Sequence, residues 1–167
     1  YVEAGIVPDP NYADNIYKVD ETFYNRPFWY RTEFELPSFY SEGKRVWLHF
    51  DNTNRFADFY FNGEKISGTK TSTKDVSGHM LRSKFDVTNL IKKSGKNVIA
   101  VLITDADQKK TRKAKDPYGV ACSPSYLAGA GWDWMPYVPG RLAGITGNAY
   151  LVVTGDVVME DPWVRSE

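Results

Sequence analysis

One cysteine, Cys122, and two histidines, His49 and His79, are all that 167 residues offer of the commonest soft metal ligands. A lone thiol closes no intrachain disulfide, and neither histidine has a second His or Cys at ligand spacing. Disulfide scaffolds and zinc knuckles are therefore excluded, and neither a metal site nor a cofactor is expected. An excess of one charge is also missing, since 21 Lys+Arg offset 21 Asp+Glu. That balance removes the basic field of a general nucleic-acid binder and any strong pull toward an anionic membrane. No run approaches the roughly 18 apolar residues of a membrane span, so the expected partners include neither nucleic acid nor membrane. The start, Tyr1-Val2-Glu3-Ala4, has neither an initiator Met nor the pattern of a signal peptide, and reads as the edge of a trimmed fragment.

What is present is a core. The hydrophobic content of 42% and aromatic content of 15% are far above what a disordered chain carries, and the length is that of one domain spanning residues 1–167. Residues 1–27 hold Pro8, Pro10 and Pro27 with no period, and read as a lead-in rather than a helix. Period-two alternation then predicts strands over 28–36, 44–51 and 55–61. In the first, Phe28, Tyr30, Phe34 and Leu36 face inward against Arg31, Glu33 and Glu35; in the second, Val46, Leu48 and Phe50 oppose Trp47, His49 and Asp51. Asn62-Gly63 predicts a tight hairpin with a return over 64–67, because both central residues of that turn need positive φ. Phe85 to Ile91 reads as a strand end and one capped helical turn, and Val98 to Ile103 as a strand covered on both faces. Periodicity vanishes over 104–130, a long loop; a last strand follows over 149–154, and Val157-Val158 could begin another. Short strands without an amphipathic helix predict an all-β antiparallel sandwich.

Most candidate constellations fail on their neighbours. Asp105-Ala106-Asp107 begins like a calcium loop, but Lys109 and Lys110 stand where oxygens and a sharp glycine turn are needed. Gly129-Ala130-Gly131 begins like a dinucleotide fingerprint, but Trp134 takes the third glycine's place. Glu33 and Glu35 share a strand face about 7 Å apart, a spacing open to paired glycosidase carboxylates, yet Arg31 on that face favours a solvated surface. The cations of 109–115 read as a solvated loop. The segment Gly131 to Arg141 differs in kind: Trp132 and Trp134 bracket Asp133, with Pro136, Pro139 and Gly140 forbidding regular structure. Indole faces suit the C–H face of a sugar ring, a carboxylate accepts its hydroxyls, and Arg141 supplies a donor fork. On chemistry alone, sugar binding and a plug of two tryptophans with Asp133 capping a turn both remain open.

The ordered motifs decide more. Asp9 to Asn15, Phe28-Trp29-Tyr30-Arg31-Thr32-Glu33-Phe34, Gly43 to Phe50, Phe61-Asn62-Gly63, Phe85-Asp86-Val87-Thr88, Gly131 to Pro136, Pro139-Gly140-Arg141, Gly144-Ile145 and Asp161-Pro162-Trp163-Val164 resemble the N-terminal sugar-binding domain of glycoside hydrolase family 2. The Trp-Asp-Trp-Met-Pro stretch is similar to the branch of β-mannosidases and exo-β-glucosaminidases. The resemblance implies a galactose-binding-domain-like jelly-roll β-sandwich that adjoins an immunoglobulin-like domain and a (β/α)₈ barrel, the barrel holding both catalytic glutamates. It implies no catalytic residue in this chain, a carbohydrate substrate met by Asp133 with Trp132, Trp134 and Arg141, and Asn15 near that pocket. A periplasmic or extracellular setting fits the family. Thr146 departs from the pattern, standing where relatives usually carry a large aromatic, as does Asn148-Ala149 in place of an acidic residue and Val. A free-standing lectin-like module and a purely structural or docking sandwich are the alternatives.

Overall fold

The computed structural model describes residues 1–20, 26–37, 40, 44–68, 76–104 and 144–166. Its strands are β1 (Phe28–Phe34), β2 (Arg45–Phe61), β3 (Glu64–Lys65), β4 (Val76–Asp86), β5 (Asn97–Thr104), β6 (Gly144–Ile145) and β7 (Ala149–Thr154). All pairings are antiparallel, and every strand except β1 pairs with β2. One edge of β2 carries β4 and then β3. Its other edge carries β7, β6 and β5 in succession, with β1 beyond β5.

The two stretches expected as separate strands, 44–51 and 55–61, are thus one strand of 17 residues. They read as two because the inward parity changes between them. Val46, Leu48 and Phe50 are buried on even positions, whereas Ala57, Phe59 and Phe61 are buried on odd ones. Register irregularities against β4 between Phe50 and Thr53, and between Thr53 and Arg55, absorb the odd residue. Bulges of this kind bend a strand and strengthen its twist. The two halves of β2 therefore face one another: Phe50 and Phe59 meet at 4.6 Å between ring centres, and Phe59 meets Phe85 at 4.8 Å. That contact is the centre of the core, completed by Val87, Val101 and Ile103.

β5 is buried at Val101 and Ile103, but Val98, Ala100 and Leu102 are only half-buried on the outer face, so the expected cover on both sides is partial. Trp29 and Tyr60, 5.4 Å apart, flank that outer face from the two neighbouring strands. On the edge strand β1, Phe34 packs edge-on against Phe61, while Tyr30 stays 39% exposed. Only the end of β4, at Phe85, is legible in the sequence, because the inward positions before it include the small polar Ser83. Val157 and Val158 form no strand; Gly155-Asp156 leads the chain off the sheet into an irregular segment tied back by the Lys84–Glu160 ion pair. The lead-in contains a single 3-10 turn, Asn15–Lys18.

The hairpin at Asn62-Gly63 forms with φ of 49° and 90°. Asn62 does more than turn the chain. Its Nδ2 donates to the Leu90 carbonyl at 2.7 Å and to Asn97 Oδ1 at 2.9 Å, and its Oδ1 accepts from Val98 N at 2.8 Å. Asn97, wholly buried, accepts from Lys92 N at 2.8 Å and donates to the Lys92 carbonyl at 2.9 Å. The two amides thus clasp the hairpin to the turn after β4. Asp86 caps that turn through Thr88 N. Asn97→Ala removes three part-buried hydrogen bonds, and we expect it to cost about 3 kcal/mol. Urea unfolding should show a lowered midpoint at unchanged slope; a loss under about 0.5 kcal/mol would contradict the clasp.

Candidate functional site

Of the residues singled out in the sequence, Trp132, Asp133, Trp134 and Arg141 lie outside the described residues. The fold does define both flanks of their segment. β5 ends at Thr104, paired with Phe56, and the chain returns in β6 with Gly144 paired to Asn54. Residues 105–143 are therefore anchored at both ends on one short stretch of β2, beside its bulges. The return is tight: Thr146 N donates to the Asn52 carbonyl at 3.1 Å and Asp51 N to the Asn148 carbonyl at 2.9 Å. A Cβ at Gly147 would sit 2.9 Å from Asp51 Cβ and 3.0 Å from Asn52 N, a contact only glycine avoids. Thr146 is exposed, so its small size opens no void in the core.

Asn15 is described. It sits half-buried in the 3-10 turn, with its Oδ1 accepting from Lys18 Nζ at 3.2 Å while the same amine pairs with Asp14 at 2.9 Å. β1 comes close to β6 at Tyr30, whose hydroxyl lies 2.8 Å from where a Gly144 Cβ would stand. Burial raises the Tyr30 phenol above its ordinary pKa, and the neighbouring Tyr1 phenol adds to the shift. Glu33 is held by Arg31 and Lys96, which keep its carboxyl below the usual range by hydrogen bonding and charge. It lies on an open sheet face, as expected of a solvated surface. Among the described residues no three His, Cys, Asp or Glu side chains are grouped so as to hold a metal ion.

A second constellation escaped the sequence. Cross-strand register sets His49 between Lys84 of β4 and Tyr150 of β7. The imidazole stacks on the Tyr150 ring at 5.2 Å and 19°, and Tyr150 Oη donates to Asp51 Oδ1 at 3.1 Å. Asn148 Nδ2 donates to Asp51 Oδ2 at 3.3 Å, and Lys84 Nζ lies 4.2 Å from the centre of the Trp47 ring. Trp47, His49, Asp51, Lys84 and Tyr150, with Arg82 and Glu160, line an open groove of about 520 Å³ on the outer face of the β4–β2–β7 layer. The alternation of Trp47, His49 and Asp51 was the one signal available; their partners come from far along the chain.

Comparison with known proteins places the whole. A family model described as the glycosyl hydrolase 2 galactose-binding domain-like domain matches residues 1–147. The chain belongs to this family. This galactose-binding domain-like chain is 30% identical over 168 residues to a mannosylglycoprotein endo-β-mannosidase of Lilium longiflorum, a match covering 93% of the chain and 16% of that protein. It is 27% identical over 161 residues to an exo-β-D-glucosaminidase of Streptomyces avermitilis, covering 96% and 15% respectively. In structure it resembles the β-D-mannosidase of Dictyoglomus thermophilum, with a TM-score of 0.67 at 23% identity over 92% of the chain and 18% of that one. The exo-chitosanase of Amycolatopsis orientalis matches with a TM-score of 0.66 at 23% identity, over 92% and 15%. The fold is the galactose-binding-like β-sandwich expected from the motifs. The chain spans about one sixth of the length of the curated relatives it matches.

Within this family member, proton binding at His49 is disfavoured. Its pKa lies below 6.5 because burial strips water from the ring and, secondarily, because Lys84 repels a second proton. The unfolded chain then binds more protons than the folded one below that value. The stabilisation from keeping the ring neutral is complete above pH 6.5 and is lost as pH falls through the folded pKa. NMR titration of the imidazole signals, with His49→Gln for assignment, should give His49 a midpoint below 6.5; a midpoint above it would refute the shielding.

Proposed function

We propose that this chain is the N-terminal sugar-binding domain of a family 2 glycoside hydrolase and forms one wall of the active-site pocket of a retaining exo-β-glycosidase. The observation that carries the reading is the match over residues 1–147, which includes the Trp132-Asp133-Trp134 segment whose two flanks are both pinned to β2. The names of its relatives put β-mannosides and β-glucosaminides first among substrate classes. In this reading Asp133 accepts hydroxyl hydrogen bonds from the sugar in the cleaved position, Trp132 and Trp134 frame its C–H face, and Arg141 and Asn15 stand at the rim. The catalytic carboxyls belong to a barrel domain, next to an immunoglobulin-like domain, outside this chain. A retaining mechanism needs two carboxyl groups about 5 Å apart on a rigid scaffold; Glu33, bound to two cations on an open sheet face, is not placed for that role. The last segment agrees with an adjoining domain, since Val157, Met159, Trp163 and Val164 are 80–91% exposed and an apolar run of that kind marks an interaction surface.

Two outcomes test this. The chain alone should hydrolyse no aryl β-mannoside, β-glucosaminide or β-galactoside, and enzyme-like turnover that survives repurification would overturn the assignment. Asp133→Ala should shift the stability of this domain by less than about 1 kcal/mol while lowering kcat/KM of the full-length enzyme by roughly 10²-fold, because hydroxyl contacts that strengthen in the transition state contribute several kcal/mol. The reverse ordering, a large drop in melting temperature with near-normal kinetics, would make Asp133 a turn cap.

A further inference from the structure

The outer face of the β4–β2–β7 layer carries a groove that takes in Met159 of the last segment and otherwise none of the residues given a part in the proposed function. From its groove we infer that the domain carries a second saccharide-binding site, built from Trp47, His49, Asp51, Arg82 and Tyr150, that takes a neutral pyranose unit. Four observations lead there. The groove, at about 520 Å³, falls within the roughly 300–1,000 Å³ of small-molecule sites. It offers hydrogen-bonding groups of both kinds. Asp51, oriented by Tyr150 Oη and Asn148 Nδ2, brings a carboxylate to the groove lining. Arg82 is exposed and makes no hydrogen bond or ion pair with the described residues, leaving its planar donor fork open. A sugar hydroxyl both donates and accepts, so a carboxylate and a guanidinium on one wall match its edge.

The third observation is the ring surface. Tyr150 stacks on His49 with one part of its ring yet remains 42% exposed, which leaves a flat apolar area for pyranose C–H groups. The stack and the hydrogen bond to Asp51 hold that ring in place before any ligand arrives, which lowers the ordering cost of binding. The fourth is charge. Arg82 and Lys84 face Asp51, Glu160 and Asp161 along the lining, so the site has no strong field of either sign to select an anion or a cation. His49 Nε2, shielded from solvent and with no partner among the described residues, makes the imidazole a sensitive reporter of anything that reorders this face.

The test follows the imidazole signals of the ¹⁵N-histidine-labelled chain during titration with β-1,4-mannobiose and with the β-1,4-linked N-acetylglucosamine dimer, both uncharged; glycerol serves as a polyol without a pyranose ring. The His49 signals should move saturably with at least one disaccharide, with a Kd on the order of millimolar, and only linearly and weakly with glycerol. Arg82→Gln, an exposed substitution, should weaken that Kd by about three- to tenfold, as loss of one charged donor predicts. Tyr150→Phe, which keeps the ring, should weaken it less than Tyr150→Ala. Asp133→Ala should leave it unchanged, which separates this site from the active-site wall. No saturable His49 response, a response matched by glycerol, or one abolished by Asp133→Ala would each overturn the second site, whatever becomes of the first.

Discussion

The whole sandwich hangs on one strand changing face. Between Phe50 and Ala57 the buried positions of β2 pass from even to odd, and the irregularities on either side of Thr53 take up the difference. Without them a continuous strand would point Val46, Leu48 and Phe50 to one side of a flat sheet and Ala57, Phe59 and Phe61 to the other. With them the two apolar sets meet, and Phe50 closes on Phe59. The same stretch receives the end of β5 and the start of β6. The bend that makes the core therefore also fixes where the long 105–143 segment leaves and re-enters the sheet.

This economy explains which features the sequence displays. Alternation within 28–36, 44–51 and 55–61, the Asn62-Gly63 turn and the β-branched run 98–103 are local signals, each carried by adjacent residues, and each corresponds to a strand or turn in the structure. The fusion of two stretches into β2 is not local, because a parity change looks the same whether the chain breaks or bulges. Before Phe85, β4 hides because Ser83 takes an inward position, and β6 is too short to have a period. Val157-Val158 has the composition of a strand but pairs with none of the described residues after Gly155 turns the chain away.

Function divides along the same line. Trp132, Asp133, Trp134 and Arg141 can be read as sugar chemistry because they are consecutive or nearly so, and the family relation supports that reading. The groove on the outer face could not be read, since Asp51 and Arg82 gain Tyr150 as a neighbour only once β7 lies against β2. His49 makes the point most simply: with no ligand-spaced partner in sequence it looked structural, and its surroundings are supplied by three different strands.

The pairing of β7 with the first half of β2 carries a consequence for how the chain is made. Phe50 lies opposite Ala149, so this ladder closes a loop of roughly one hundred residues, an entropically costly and slow step compared with the Asn62-Gly63 hairpin. Until Thr154 has emerged from the ribosome, the edge of β2 from Arg45 to Phe50 has no strand to cover it. Such an unpaired edge is a template for foreign strands. Arg45 at its start, with Lys84 and Arg82 on the neighbouring strand, gives the waiting edge positive charge. The domain is thus most exposed to misassembly until residues 149–154 have been added.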